Sequence, residues 1–287
     1  MARSVSPPAK RAAHGVSVTI GQLTNRVRML PAFLIVGAQR SGTTSMYRTL
    51  SQHPAIMKSV LHKGVHYFDM NYERPISWYR AHFPLEGTAR LAERSARATP
   101  VTFESSPYYM FHPLAGGRIA ADLPGVRLLA LLRDPVDRAY SAYAHEMARG
   151  FEDQPFEGAL ELESSRLAGE EEQIIANPGY LSHSHQHQAY RARGQYIDQL
   201  ERLSRLVGRD HLHVVDSGDF FANPEPVYDA ILEFLELPHG PYPAFERHNA
   251  RPRSAMAEST RAALDQHFLP YDERLADWLG YPPSWRR

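Results

Sequence analysis

Residues 37–44 have the composition of an oxyanion-binding loop. The segment reads Gly-Ala-Gln-Arg-Ser-Gly-Thr-Thr and lies between a short apolar run and a stretch of helical periodicity. Backbone N–H groups at the start of a helix converge on such a loop and can bind an anion. The glycine spacing equals that of an ATP-binding P-loop, but Thr43 stands at the lysine position and the cation is Arg40. We therefore predict an oxyanion site that needs no metal, formed by Gln39, Arg40, Ser41, Gly42, Thr43 and Thr44.

Strand and helix patterns alternate along the chain around this loop. Short apolar runs predict strands at residues 33–36, 101–104, 126–132 and 211–215. Helical periodicity predicts helices at residues 43–52, 136–149, 190–207, 226–235 and 257–267. This alternation is typical of an α/β domain with a mainly parallel central sheet flanked by helices, which binds ligands at the carboxyl ends of its strands. The acidic segment 152–172 is interpreted as a surface excursion, helical in part.

Composition limits the classes of protein and partner. With 287 residues and 43% hydrophobic content, the chain can bury one substantial core. We predict a flexible basic arm at residues 1–30 and a single domain at residues 31–287, because the first acidic residue is Asp69 and the arm lacks an apolar period.

Charge, cysteine content and hydropathy exclude several further classes. The formal net charge of +0 does not favour a nucleic-acid partner. Without cysteine there is no disulfide framework, and no apolar run is long enough to span a membrane. These features favour a cytoplasmic protein; an organellar transit peptide in the acid-free first 25 residues is the alternative.

A second motif, Leu-Arg-Asp-Pro-Val-Asp-Arg-Ala-Tyr-Ser-Ala-Tyr at residues 132–143, accompanies the loop. Together they resemble the sulfotransferases that use 3′-phosphoadenosine 5′-phosphosulfate (PAPS), in the heparan-sulfate-type branch with bacterial relatives. Weaker matches are residues 63–69, 104–109, 193–196 and 268–275, so the resemblance spans about residues 31–280. It implies a P-loop-NTPase-like sulfotransferase fold, PAPS as sulfuryl donor, adenosine 3′,5′-bisphosphate as product and no metal.

The resemblance also implies how the nucleotide is bound. Arg133 and Ser141 would bind its 3′-phosphate, which suits an arginine at a strand end and a hydroxyl on the following helix. Asp134 is expected to cap that helix at its N-terminus, although a strand-end aspartate is also what a magnesium-dependent kinase needs. Tyr196, Arg251 and Arg253 match further nucleotide-binding positions; a solvated loop is the alternative for the two arginines.

The chain departs from the family pattern at the expected catalytic base. Heparan-sulfate-type enzymes have a glutamate after the lysine that matches Lys63, whereas this chain has Gly64. His66 is the leading substitute, because a neutral imidazole oriented by Asp69 can accept a proton, and cytosolic sulfotransferases resemble this arrangement. Glu104 is a second candidate base, and Lys63 is expected to assist the leaving phosphate. The alternatives are a structural histidine and a solvated lysine.

The acceptor is expected to be a small molecule, a glycan or a glycolipid that presents a hydroxyl or an amine. His145 lies one helical turn after Ser141, and Tyr108, Tyr109 and Trp78 are either acceptor-binding or core residues. A phenol loses its proton more readily than a sugar hydroxyl, so the missing glutamate favours phenols weakly.

Three functions stay open from the sequence. A sulfotransferase is favoured, and a non-catalytic PAPS-binding protein is the alternative that Gly64 supports. A P-loop nucleotide kinase is disfavoured by Thr43. His183, His185 and His187 resemble a metal-binding tract, but a polar rim of the pocket is the favoured interpretation because no third ligand lies nearby.

Overall fold

A parallel five-stranded sheet forms the centre of the protein. The computed structural model describes residues 21–60, 62–96, 98–246 and 255–287. Within them the strands are β1 Phe33–Gly37, β2 Ile56–Lys58, β3 Val101–Ser105, β4 Arg127–Leu132 and β5 Leu212–Asp216. The strand order is β2-β3-β1-β4-β5, and all four neighbouring pairs are parallel.

Helices flank both faces of the sheet. Those before β4 are α1 Thr43–Leu50, α2 Tyr67–Met70, α3 Ile76–Arg80, α4 Glu86–Ala96 and α5 Ala115–Asp122. Those between β4 and β5 are α6 Pro135–Arg149, α7 Phe156–Leu167, α8 Glu170–Ala176, α9 His183–His187 and α10 Tyr196–Val207. Those after β5 are α11 Ser217–Ala222, α12 Pro224–Phe234 and α13 Glu258–Leu279. Short 3-10 turns lie at Asn25–Val27, Ala192–Gly194, Arg209–His211 and Ser284–Arg286.

The strands are apolar because both faces of the sheet are covered. Along β1, Leu34 and Val36 pack into one hydrophobic cluster, and Phe33 and Ile35 pack into the cluster on the opposite face. This double burial is what the continuous apolar runs predict. The α/β class, the parallel sheet and all four predicted strands are confirmed, whereas β2 has only three residues and no recognisable pattern.

Several helix boundaries differ from the prediction. The segment predicted as one helix from residue 190 contains a 3-10 turn, and α10 begins at Tyr196. The last helix, α13, continues through Pro270 to Leu279, because Phe268 and Leu275 on either side of the proline are both buried in the core. This burial outweighs the backbone hydrogen bond that the proline cannot make.

The acidic segment 152–172 is less exposed than predicted. Glu152 and Glu163 are buried, and they pair with Arg166 and Arg191. The prediction of a surface excursion is therefore wrong for these two carboxylates, since paired charges can be buried where isolated ones cannot.

Part of the predicted N-terminal arm contacts the domain. Arg28 donates a hydrogen bond of 2.6 Å to the Phe83 carbonyl, and the Met29 N–H donates one of 2.9 Å to the Pro84 carbonyl. Residues 1–20 lie outside the described residues, so a division of the chain at residue 30 stays a prediction. No helix in the described ranges is both long and apolar enough to cross a membrane.

Candidate active site

One large cavity opens at the carboxyl edge of the sheet. Its volume is about 1150 Å³, and its lining comes from segments that follow all five strands. Because the sheet is parallel, these segments meet at one edge. The strand order places β1 and its loop in the middle, with β4 and β5 on one side and β3 and β2 on the other.

The β1 loop has the backbone geometry of an anion site. Gly42 has φ of 86° and immediately precedes α1, whose first backbone bond runs from the Met46 N–H to the Gly42 carbonyl at 3.1 Å. The first N–H groups of a helix have no partner within the helix, so those of Thr43 and Thr44 are available to an anion. A Cβ at Gly42 would also meet the Phe221 ring at 3.1 Å, which is a second reason for glycine here.

Two cations flank this loop. Lys63 Nζ donates to Thr43 Oγ1 at 3.2 Å and to Thr44 Oγ1 at 3.1 Å. Burial lowers the pKa of Lys63 to about 8, so the ammonium is mostly charged at neutral pH. Arg40, with φ of 71°, donates through Nε to Ser141 Oγ at 3.1 Å. The loop therefore offers backbone donors, two hydroxyls and two cations.

Arg133 and Ser141 line the cavity beside the loop, on the β4 side. Arg133 also pairs with Asp137 at 3.1 Å. Asp134 caps α6 as expected, because its Oδ1 accepts the Val136 N–H at 2.8 Å and Pro135 occupies the first turn. The Arg133 guanidinium, just before α6, and the Ser141 hydroxyl, on α6, can together bind a second phosphate.

His66 lies on the opposite side of the loop, next to Lys63. Its Nδ1 is 2.8 Å from Asp69 Oδ2, and its ring lines the cavity with 38% of the side chain exposed. Burial opposes protonation, but the charge and hydrogen bond of Asp69 outweigh it and raise the pKa of His66. With Nδ1–H directed at Asp69, the neutral ring offers Nε2 as a proton acceptor.

The backbone at His66 is strained. Its φ is 54°, and the three non-glycine residues with positive φ in the described part of the chain are Arg40, His66 and Glu236. A left-handed conformation of a bulky residue costs on the order of 1–3 kcal/mol and often occurs at functional sites. Two of the three strained residues lie in this cavity.

The structure gives a physical reason for Gly64. A Cβ there would be 2.5 Å from the Ser105 carbonyl oxygen and 3.0 Å from Ser106 Oγ. The Lys63 carbonyl accepts the Ser105 N–H at 2.8 Å, so this chain segment lies directly against the end of β3. A glutamate cannot enter this position without moving the backbone.

Glu104 does not line the cavity and is an unsuitable base. Its carboxylate is buried and accepts hydrogen bonds from four donors, each within 3.0 Å: the Val65 N–H, Ser106 Oγ, Tyr79 Oη and Tyr109 Oη. Burial raises its pKa, against the effect of these bonds. Tyr109 belongs to this network: it is fully buried and supports the segment that carries His66. The expected contact of Tyr109 with the acceptor is therefore not supported.

Other predicted residues support the cavity from beneath or lie elsewhere. Ser41 is buried and its carbonyl accepts Ser217 Oγ at 2.5 Å, while Tyr196 is buried and donates to the Arg133 carbonyl at 2.9 Å. Neither side chain lines the cavity. Trp78 packs against the core. Arg251 and Arg253 lie outside the described residues.

Tyr108, which follows β3, and His145, on α6 one turn beyond Ser141, line the cavity as expected. The histidine tract is divided between three environments. His185 is buried against Tyr108, with a hydrogen bond of 2.7 Å, and burial lowers its pKa to about 2. His187 lines the cavity and His183 is exposed. In the described ranges no three His, Cys, Asp or Glu side chains form a group that could hold a metal ion.

The sequence predictions missed several lining residues. Those that follow β5 are Ser217, Gly218, Phe221, Ala222, Ser284 and Trp285. Met70 follows β2, and Arg149, Gln186 and Arg193 come from the connection between β4 and β5. His187 lines the cavity, as the interpretation of the histidine tract as a pocket rim expects. The strand-end rule could have indicated Ser217 and Gly218, which lie within three residues of the end of the predicted strand 211–215. Trp285 has no such signal, because its position depends on hydrogen bonds between Ser284 and Asp216.

Comparison with known proteins identifies one family. Residues 30–251 match the family model described as "Sulfotransferase domain". The chain is 32% identical over 213 residues to human bifunctional heparan sulfate N-deacetylase/N-sulfotransferase 2, covering 72% of this chain and 22% of that protein. It is 27% identical over 219 residues to human heparan sulfate glucosamine 3-O-sulfotransferase 5, covering 76% of this chain and 56% of that protein. It thus spans about a fifth and just over half of these relatives.

A solved structure supports the same relationship. The sulfotransferase from Alicyclobacillus acidocaldarius is 29% identical, with a TM-score of 0.64. The similarity covers 90% of this chain and 99% of that one, so the sheet and its flanking helices are shared over nearly the whole length of both.

Proposed function

We propose that this chain, which belongs to the sulfotransferase family, transfers the sulfuryl group of PAPS to a hydroxyl or an amine bound beside His66. The protein is a sulfotransferase by its family. One observation carries the proposal: a single cavity contains an anion loop with two cations and, on the other side of that loop from Arg133, a histidine paired with a buried aspartate.

The order of groups along the sheet edge fits PAPS. Phe221 and Trp285 on the β5 side offer apolar faces to the adenine ring, and Arg133 and Ser141 offer hydrogen-bond donors to the 3′-phosphate. Residues 39–44 then contact the 5′-phosphosulfate. All of these residues together are called the donor end of the cavity. The acceptor end is His66, Tyr108, His145, His187 and Arg193.

The proposed reaction is an in-line displacement at sulfur. The acceptor oxygen or nitrogen forms a bond to sulfur while the bond from sulfur to the bridging phosphate oxygen breaks. His66 Nε2 takes the acceptor proton, and Asp69 stabilises the resulting imidazolium. Loop N–H groups, Arg40 and Lys63 stabilise the charge that develops on the leaving phosphate, which departs as adenosine 3′,5′-bisphosphate. The sulfuryl group carries less charge than a phosphoryl group, so these donors suffice without a metal.

The names of two relatives support both classes of nucleophile. One is an N-sulfotransferase and the other a 3-O-sulfotransferase of glucosamine. The proposed acceptor is therefore a small molecule, glycan or glycolipid with a free amine or hydroxyl, and not a nucleic acid. A cytoplasmic location is part of the same proposal.

A screen of acceptors with PAPS tests the function. Phenols, amino sugars and neutral sugars would be incubated with enzyme and PAPS, and release of adenosine 3′,5′-bisphosphate would be measured with and without EDTA. We expect acceptor-dependent release that EDTA does not reduce. Transfer that requires ATP and Mg²⁺ would contradict the proposal, and tight nucleotide binding without release would indicate a non-catalytic PAPS-binding protein.

A further inference from the structure

A second pair of carboxylate and imidazole lies at the cavity, with only the imidazole in the lining, and the proposed reaction does not use it. Glu146 of α6 has only 1% of its side chain exposed, and its Oε2 lies 3.1 Å from His187 Nδ1. The His187 ring lines the acceptor end. This pairing repeats that of His66 and Asp69, so each histidine directs Nδ1 at a buried carboxylate.

The ring of His187 is held in one orientation. It stacks on Phe151 with centroids 4.2 Å apart and an interplanar angle of 27°, and its centroid is 5.0 Å from that of His183. Only 10% of the side chain is exposed. A group fixed in this way loses little conformational entropy when a ligand binds to it.

Glu146 also connects this histidine to the phosphate loop. Its Oε1 accepts from Gln39 Nε2 at 3.4 Å, and Arg193 donates to Gln39 Oε1 at 2.5 Å. Burial disfavours the ionised carboxylate, but the hydrogen bond from His187 and the positive charge of Arg149, whose Nη1 lies 3.4 Å from Oε2, outweigh it and lower the pKa of Glu146. The anion therefore accepts hydrogen bonds from both the loop and α9.

We propose that His187 is an acceptor-binding residue and that Glu146 is the residue that positions it. The inference rests on the proposed function, because it needs an acceptor in this cavity. With Nδ1–H donated to Glu146, neutral His187 offers Nε2 as a hydrogen-bond acceptor. The preferred substrate must then carry an O–H or N–H group besides its nucleophile, as a diol, a catechol or an amino alcohol does.

Nitrogen-15 NMR of the histidine side chains tests the pair without turnover. In protein saturated with adenosine 3′,5′-bisphosphate, we expect His187 to be neutral with its proton on Nδ1 and Glu146→Gln to alter that tautomer. Titration with catechol should shift Nε2 of His187 and leave unchanged His239, which pairs with Asp229 outside the cavity lining. A proton on Nε2 in the wild type, or no shift of His187 with catechol, would overturn the proposal.

Kinetics with catechol and phenol as probes provides the second test. His187→Ala should reduce kcat/KM for catechol about tenfold, mainly through KM, because the loss of one neutral hydrogen bond has about this effect. The same variant should change kcat/KM for phenol less than twofold. His239→Ala, which removes a histidine that pairs with Asp229 outside the cavity lining, is the matched control, and affinity for adenosine 3′,5′-bisphosphate should not change in either variant. Equal behaviour of the two alanine variants would overturn the inference. Absence of turnover with both probes would count against the proposed function, and the NMR titration would still decide the role of His187.

Discussion

The donor end and the acceptor end of the cavity are assembled from the chain in different ways. At the donor end, two continuous segments that follow β1 and β4 supply the loop, Arg133 and Ser141. At the acceptor end, His66, His145 and His187 come from three separate segments, held by contacts such as that between His187 and Glu146, 41 residues apart. A parallel sheet fixes the first arrangement directly, whereas tertiary packing fixes the second.

This difference explains what the sequence could predict. Seven predicted donor residues line the cavity: Gln39, Arg40, Gly42, Thr43, Thr44, Arg133 and Ser141. Their motifs directly follow β1 and β4, so local pattern and the strand-end rule suffice. Tyr196 shows the limit of prediction from motifs, because a motif match does not reveal whether a side chain contacts a ligand or supports the end of a strand.

The acceptor end could be predicted only in part. Glu104 has the residue type and the strand-end position of a base, but the two tyrosines that enclose it come from α3 and from the segment after β3. The spacing of His187 from His183 suggested a metal ligand. The pairing of His187 with Glu146 could not be predicted from the sequence near either residue. His66 can be predicted because its imidazole lies close in sequence to Gly64, where the glutamate of the family is missing, and Asp69 is near enough to orient it.

The largest effect should come from removing the base at the acceptor end. If the acceptor end performs proton transfer and the donor end performs nucleotide binding, His66→Gln should lower turnover about 100-fold or more with phenol. Affinity for adenosine 3′,5′-bisphosphate, measured by calorimetry, should stay nearly unchanged.

A more acidic acceptor sharpens this test. 4-Nitrophenol has a pKa near neutrality, so about half of it is an anion that needs no base at pH 7, and the loss in His66→Gln should be much smaller. Asp69→Asn should reproduce part of the loss with phenol. Full activity of His66→Gln on phenol would mean that His66 is structural.

The next effect concerns the tight contact between Gly64 and the end of β3, in the segment that carries Lys63 and His66. Gly64→Ala should lower the free energy of unfolding by about 1–3 kcal/mol, because its Cβ would be 2.5 Å from the Ser105 carbonyl oxygen. Gly87→Ala in α4 is the control, since no atom lies within 4 Å of the added Cβ, and it should be neutral or stabilising. Chemical denaturation measures both. Equal stabilities would show that the backbone at Gly64 accommodates a side chain.

The smallest effect is expected in the pH dependence of kcat/KM, where one profile reports on both His66 and Lys63. Asp69 raises the pKa of His66, and a base acts when deprotonated, so the rate should rise with pH through a value above 6.5. It should fall again near pH 8 as Lys63 loses its charge. Initial rates from pH 5.5 to 9.5 would show two limbs, and a profile of His66→Gln that keeps the rising limb would assign it to another group.

Calorimetric titration with adenosine 3′,5′-bisphosphate and with ADP tests the central assignment most directly. ADP lacks the 3′-phosphate that Arg133 and Ser141 are proposed to bind, so the bisphosphate should bind much more tightly. Arg133→Ala should weaken its binding by about 2 kcal/mol, or roughly thirtyfold, and should leave ADP binding nearly unchanged. Arg274→Ala, which removes an exposed arginine that pairs with Asp198 and Glu201 outside the cavity lining, should change neither. Equal affinities for the two nucleotides, or tighter binding of ATP with Mg²⁺, would contradict the account.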